Sequence, residues 1–284
     1  MVVVPSLRNA VLCISCVALA RAQTIRSIGD MTLQSYDLGR HRIPSWSSEA
    51  LVVIDNDRTV SPIVRLFDRE GRESQPFAIS VPGANTVGLR SVAHGPDGML
   101  VFVGFAIDED SGNDKARVAD FLGIVSADRS KQVVVRTNPY VPRAVVIAPD
   151  KTIWTAGQEK TDDAKRDPGA VRHYDTQGKE IGSFIPQSSV HVGASKLEDN
   201  LAFGDGHLGW YPAFGTVYFE IFPDGVVRQF PALSSSGAYQ FITKLAITNS
   251  GLTFISNWAV IGNARISVET SCSRATHSTT PFFF

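Results

Sequence analysis

The sequence predicts an all-β protein: a β-propeller of four-stranded antiparallel blades, about five of them, or six if the C-terminus is truncated. Three observations predict it. A hairpin motif recurs about every fifty residues, and a second hairpin follows each of the first four copies at a similar period. Helical signals are nearly absent, since no window keeps apolar residues at i, i+3, i+4 and i+7 over three turns. The chain has 284 residues, 43% of them hydrophobic and 19% charged, which is enough to bury a core and excludes wholesale disorder.

The first 22 residues read as an export signal. Arg8 precedes an apolar run over 10–20, about half the length of a spanning helix. Ala20-Arg21-Ala22 then supplies an A-x-A cleavage site before Gln23. The expected organisation is a signal peptide over 1–22, a propeller over 23–270 and an unstructured tail over 271–284, in a secreted or periplasmic protein. Cleavage would remove Arg8 and Arg21 and no acid, taking the formal net charge from -1 to -3. No basic excess is present to hold a phosphate backbone, so nucleic acid is not an expected partner. No later segment is apolar enough to span a bilayer as a helix, and a monomer is expected. Cys13 and Cys16 would leave with the signal, so Cys272 has no partner for an intramolecular disulfide.

The repeat comes next along the chain. Stretches 89–104 (LRSVAHGPDGMLVFVG), 142–157 (PRAVVIAPDKTIWTAG) and 242–256 (ITKLAITNSGLTFIS) read alike, with weaker copies at 192–206 and 47–57. Aligning their turns puts Ser48, Asp97, Asp150, Asp199 and Ser250 in register, at steps of 49, 53, 49 and 51. Each copy is an apolar run, a Pro/Asp/Gly/Asn turn and another apolar run, which is a β-hairpin. The second hairpins lie at 64–79, 121–135, 171–185 and 218–230, with turn aspartates Asp68, Asp128, Asp175 and Asp224. Two hairpins make one four-stranded blade. The fifth repeat offers strands near 242–247, 252–257 and 264–269, and the lone segment 31–38 is expected to supply its outer strand.

The hairpin cores VAHGPDGML and VVIAPDKTIW, each followed by an Asp-x-x-Gly hairpin (DREG, DTQG), resemble the NHL and SMP-30/gluconolactonase group of secreted propellers over roughly 31–270. The resemblance is one of architecture and implies the fold. It also implies, for the lactonase members, a divalent metal in the central channel. Their E-G-P and N-G-L-A-type segments are not found here, and the equivalent positions carry Ser91-Val92-Ala93-His94 and Ala144-Val145-Val146-Ile147, so no ligand set carries over.

Several groups of residues could carry chemistry. Gly204-Asp205-Gly206-His207-Leu208-Gly209 matches G-x-G-x-x-G, but no helix pattern follows it, so a glycine-rich loop is expected rather than a dinucleotide site. H-E-x-x-H, G-x-S-x-G and Walker A motifs are absent. Asp108, Asp110 and Asp114 could offer oxygens to Ca²⁺, although Ala119 stands where an EF-hand needs Glu. The expected long loops 105–120, 158–170 and 205–216 share one face and carry acidic residues beside Trp210, Tyr211 and Phe214. Arg90 and Arg143 each lie seven residues before a turn aspartate, so both enter an innermost strand at one height, with Tyr140, His191, Tyr239 and Gln240 on neighbouring inter-blade loops. Two guanidiniums there could receive a carboxylate or phosphate, unless each bonds adjacent blade carbonyls. The expected function is a binding module presenting this loop-rich face to a small molecule or protein, with no cofactor unless Ca²⁺. A metal-dependent lactonase-like hydrolase with its site in the central channel is the second reading.

Overall fold

A computed structural model describes residues 42–46, 50–55, 61–95, 97–108, 117–159, 166–190, 201–212, 217–231, 240–247, 253–261 and 264–273. The signal segment, the strand expected at 31–38, and the loop positions Asp110, Asp114, His191, Phe214 and Tyr239 lie outside them.

The described residues form five antiparallel sheets arranged as the blades of a β-propeller. Blade 1 is β1 (Arg42–Trp46), β2 (Leu51–Asp55), β3 (Ile63–Phe67) and β4 (Phe77–Ala78). Blade 2 is β5 (Ala84–His94), β6 (Leu100–Asp108), β7 (Arg117–Val125) and β8 (Gln132–Arg136). Blade 3 is β9 (Tyr140–Ile147), β10 (Ile153–Glu159), β11 (Gly169–Tyr174) and β12 (Glu180–Pro186). Blade 4 is β13 (Leu201–Gly204), β14 (His207–Trp210), β15 (Val217–Ile221) and β16 (Val227–Pro231). Blade 5 shows three strands, β17 (Gln240–Ile247), β18 (Thr253–Ile261) and β19 (Ala264–Ser273). The first strands touch in succession, β1 on β5, β5 on β9, β9 on β13 and β13 on β17. They are therefore the inner strands of a radial array.

Strand alternation sorts side chains between the two faces of a blade. Leu100, Phe102, Phe121 and Val125 pack toward blade 1, in one cluster with Val52, Ile54 and Val64. Val101, Val103, Leu122 and Ile124 pack the other way, with Val145, Ile153 and Tyr174 of blade 3. Trp154 and Val171 join Leu208, Trp210 and Phe219 between blades 3 and 4. Ala202, Tyr211, Tyr218 and Leu245 fill the next seam. The core is thus a series of apolar seams.

The recurring aspartates close the turns with their own side chains. Asp68 Oδ1 accepts from the amides of Glu70 and Arg72 at 3.0 and 2.9 Å, and Asp175 Oδ1 from Gln177 and Lys179 at 2.8 and 2.9 Å. Asp97, Asp150 and Asp224 do the same for the amide two residues on. This is why the repeat is visible as aspartates.

Three expectations need correction. The fourth blade turns at Asp205-Gly206, not at Asp199, with φ of 49° and 73°. Asp-Gly suits a two-residue hairpin because both positions need positive φ. The long loops are shorter than expected, because β6, β10 and β14 run to Asp108, Glu159 and Trp210. Finally, β19 extends to Ser273, so Cys272 lies in a strand opposite Phe254 rather than in a tail.

Candidate functional site

The polar end of the seam between blades 2 and 3 gathers the charged residues that matter. Arg90 leaves β5 beside a register shift between Leu89 and Ser91. Its guanidinium crosses the Phe105 ring at 5.2 Å and reaches Asp120 of β7, Nη1 to Oδ1 2.6 Å. The same Nη1 donates to the Gly104 carbonyl at 3.0 Å and lies 3.4 Å from the Pro142 carbonyl of β9. Asp120 is placed there because Phe105 and Asp120 are opposite one another in the β6–β7 ladder. It is buried, and its amide donates to Asn138 Oδ1 at 2.7 Å.

Arg143 follows Pro142 in β9 and is partly buried. Among the described residues its guanidinium has neither a hydrogen bond nor an ion pair, unlike that of Arg90. Loss of solvent lowers its pKa, the nearby Arg90 charge lowers it further, and Asp120 partly offsets both. The expected pair of free guanidiniums is therefore not formed. Arg90 is ion-paired with Asp120 and hydrogen-bonded to blade carbonyls, and Arg143 has no such partner among the described residues. One carboxylate against two guanidiniums leaves a single net positive charge.

The remaining sequence candidates are elsewhere or enclosed. Tyr140 is fully buried, its hydroxyl 3.1 Å from the Ala170 carbonyl and its ring 4.1 Å from the Arg172 guanidinium. Burial is the main reason its hydroxyl pKa is pushed up. Trp210 is 1% exposed and stacks on Phe219, while Tyr211 packs into the seam between blades 4 and 5. All three are buried, so none of them is presented on an open loop. Asp108 pairs with Arg136 at 2.7 Å. Gln240 begins β17. No three His, Cys, Asp or Glu side chains come together among the described residues in a way that could hold a cation.

Sequence reasoning counted Glu159 among the loop acids without its ion pairs, and missed His173. Glu159 is buried and takes Arg166 Nη1 at 2.9 Å and Arg172, which also reaches Glu180 at 2.8 Å. This network ties β10, β11 and β12 together and leaves no charge open. His173 stacks on Trp154, ring centroids 3.8 Å apart, and burial lowers its pKa. Neither has a sequence signal, because each depends on register between strands. An open groove of about 360 Å³ between Ser80, Pro82, Gln132, Val134 and Arg136 lies on the outer strand of blade 2. Its polar groups are engaged: Arg136 by Pro82 and Asp108, Gln132 by the Ser80 carbonyl.

No family model matches the chain. No curated protein matches it either. Solved structures do show similarity. A streptogramin B lyase is 13% identical, with 80% of this chain and 68% of that one covered at a TM-score of 0.49. A candidate exported protein of Bacteroides fragilis is 14% identical, with coverages of 84% and 74% and a TM-score of 0.49. A catalytically inactive virginiamycin B lyase from Staphylococcus aureus with quinupristin is 14% identical, with coverages of 79% and 68% and a TM-score of 0.48.

Proposed function

We propose that the chain is an exported binding module whose ligand, a small molecule or part of a protein, presents an anionic group to the seam between blades 2 and 3. The observation that carries this is Arg143, a partly buried guanidinium without a hydrogen bond or ion pair among the described residues. Charge withdrawn from water is ordinarily paired, since desolvation is costly. A guanidinium held open beside a second, immobilised one offers two parallel N–H donors to an incoming anion. Arg90 contributes by position: its ion pair with Asp120 and its hydrogen bonds to the Gly104 and Pro142 carbonyls fix the wall against which the ligand rests. Export follows from the leading 22 residues, and no helix among the described residues is long and apolar enough to cross a membrane.

The test is thermal unfolding of the wild type and Arg143→Leu, at fixed ionic strength, with sodium acetate, phosphate or sulfate replacing an inert salt. A ligand of the native state at a hundred times its Kd stabilises by about 2.7 kcal/mol. At least one of these anions is expected to raise the Tm of the wild type saturably and to leave the variant unmoved. Equal shifts in both proteins would remove Arg143 from the site.

A further inference from the structure

We infer that the anionic group received at this seam is a monoanion, a carboxylate carrying one charge, and that Asp120 sets this selectivity. The inference rests on the reading of Arg143 just given and deepens it. Two unpaired guanidiniums would favour a dianion. Here Asp120 has already taken the charge of Arg90 at 2.6 Å, so among the described residues the seam has one positive charge to offer. A second negative charge on the ligand would find no second open guanidinium among the described residues, and would face the Asp120 carboxylate from which Arg90 shields it only in part.

Geometry supports the same conclusion. Asp120 is 3% exposed, and the Arg90 side chain that meets it is 18% exposed, so neither is free to swing toward solvent and follow a ligand. Arg90 is pinned on a third side by the Phe105 ring, and a Cβ at Gly88 would run into that ring, so the packing that holds Phe105 is tight. Among the described residues no hydrogen bond or ion pair uses the donors of Arg143. A planar carboxylate matches the guanidinium fork, which gives two hydrogen bonds without needing a further cation.

The experiment titrates acetate and malonate into the purified mature protein by calorimetry at pH 7 and low chloride. Three proteins are compared: wild type, Arg143→Leu and Asp120→Asn. Wild type is expected to bind acetate at least as tightly as malonate, and Arg143→Leu to lose both. Asp120→Asn adds one net positive charge and is expected to favour malonate over acetate about tenfold more than wild type does, the effect of one added charge at short range. A wild type that prefers malonate, or an Asp120→Asn ratio equal to that of wild type, overturns the monoanion inference while Arg143 keeps its role. No binding of either probe to wild type overturns both. If Asp120→Asn does not fold, the double variant Arg90→Met with Asp120→Leu removes the pair as a neutral unit. Acetate affinity within about threefold of wild type then upholds the inference, and loss of acetate binding overturns it.

Discussion

Arg90 and Arg143 occupy equivalent positions in successive repeats, yet their surroundings make them different groups. The sequence shows the equivalence, because both stand seven residues before a turn aspartate. It does not show that Asp120, thirty residues after Arg90, is brought opposite Phe105 and captures one of them. A long-range ladder decides which charge is open. Arg143→Leu is therefore expected to stabilise the ligand-free protein slightly, by under about 1 kcal/mol, since it removes a cation that has no partner among the described residues and lies near a second one. Urea unfolding of the two proteins checks this, and a clear loss of stability would mean that Arg143 is structurally engaged. A second prediction concerns the turns. Hydrogen bonds from the Ser126 hydroxyl and from Ser130 hold the Asp128 carboxyl down at about 2. A depressed carboxyl stabilises the fold above the ordinary value near 3.8, and that contribution is lost as pH falls toward about 2. Asp128→Asn should flatten the stability profile across that window and leave its shape near pH 7 unchanged, as read by Tm against pH.

At the scale of the strand and the hairpin, most of the fold was legible. Hairpins at 89–104, 142–157 and 171–185 were marked by turns whose aspartates bind their own backbone, a local interaction that short sequence stretches record. The fourth blade was misread because the repeat alignment favoured Asp199 over Asp205-Gly206, although Asp-Gly is the stronger hairpin signal. Burial was the harder matter: Trp210 and Tyr211 look like loop aromatics in sequence, yet Trp210 ends β14 and packs between blades 3 and 4, and Tyr211, just beyond the strand, packs between blades 4 and 5. Gly104 shows how closely two strands of a blade approach. A Cβ there would collide with the Gly88 carbonyl, so Gly104→Ala should cost about 1–3 kcal/mol and also displace an acceptor of Arg90. Chemical denaturation measures the first effect. The Trp154–His173 stack predicts a pH dependence of its own. Burial depresses the His173 pKa, so the folded state disfavours the charged ring. Stability from this residue is complete above the ordinary histidine value of about 6.5 and declines as pH falls through it. His173→Phe should remove that decline below about pH 6.5, read from urea midpoints.

For the whole molecule, a regular radial repeat builds seams that are apolar along most of their length, and function is left to the places where a seam departs from that rule. The seam between blades 2 and 3 departs from it at one end, where the described residues include two guanidiniums and one carboxylate, with the Arg143 donors without a partner among them. Export is the other whole-molecule claim, and N-terminal sequencing of secreted material should begin at Gln23; material still beginning at Met1 would refute it. Whether Arg143 receives the anion while Arg90 stays fixed beside it is read from guanidinium ¹⁵Nε NMR during an acetate titration. The two resonances are assigned by their loss in Arg143→Leu and Arg90→Met. The account predicts that the Arg143 signal moves saturably with acetate, and that the Arg90 signal, held by Asp120, stays nearly in place. A stationary Arg143 signal, or a larger shift at Arg90, would contradict it.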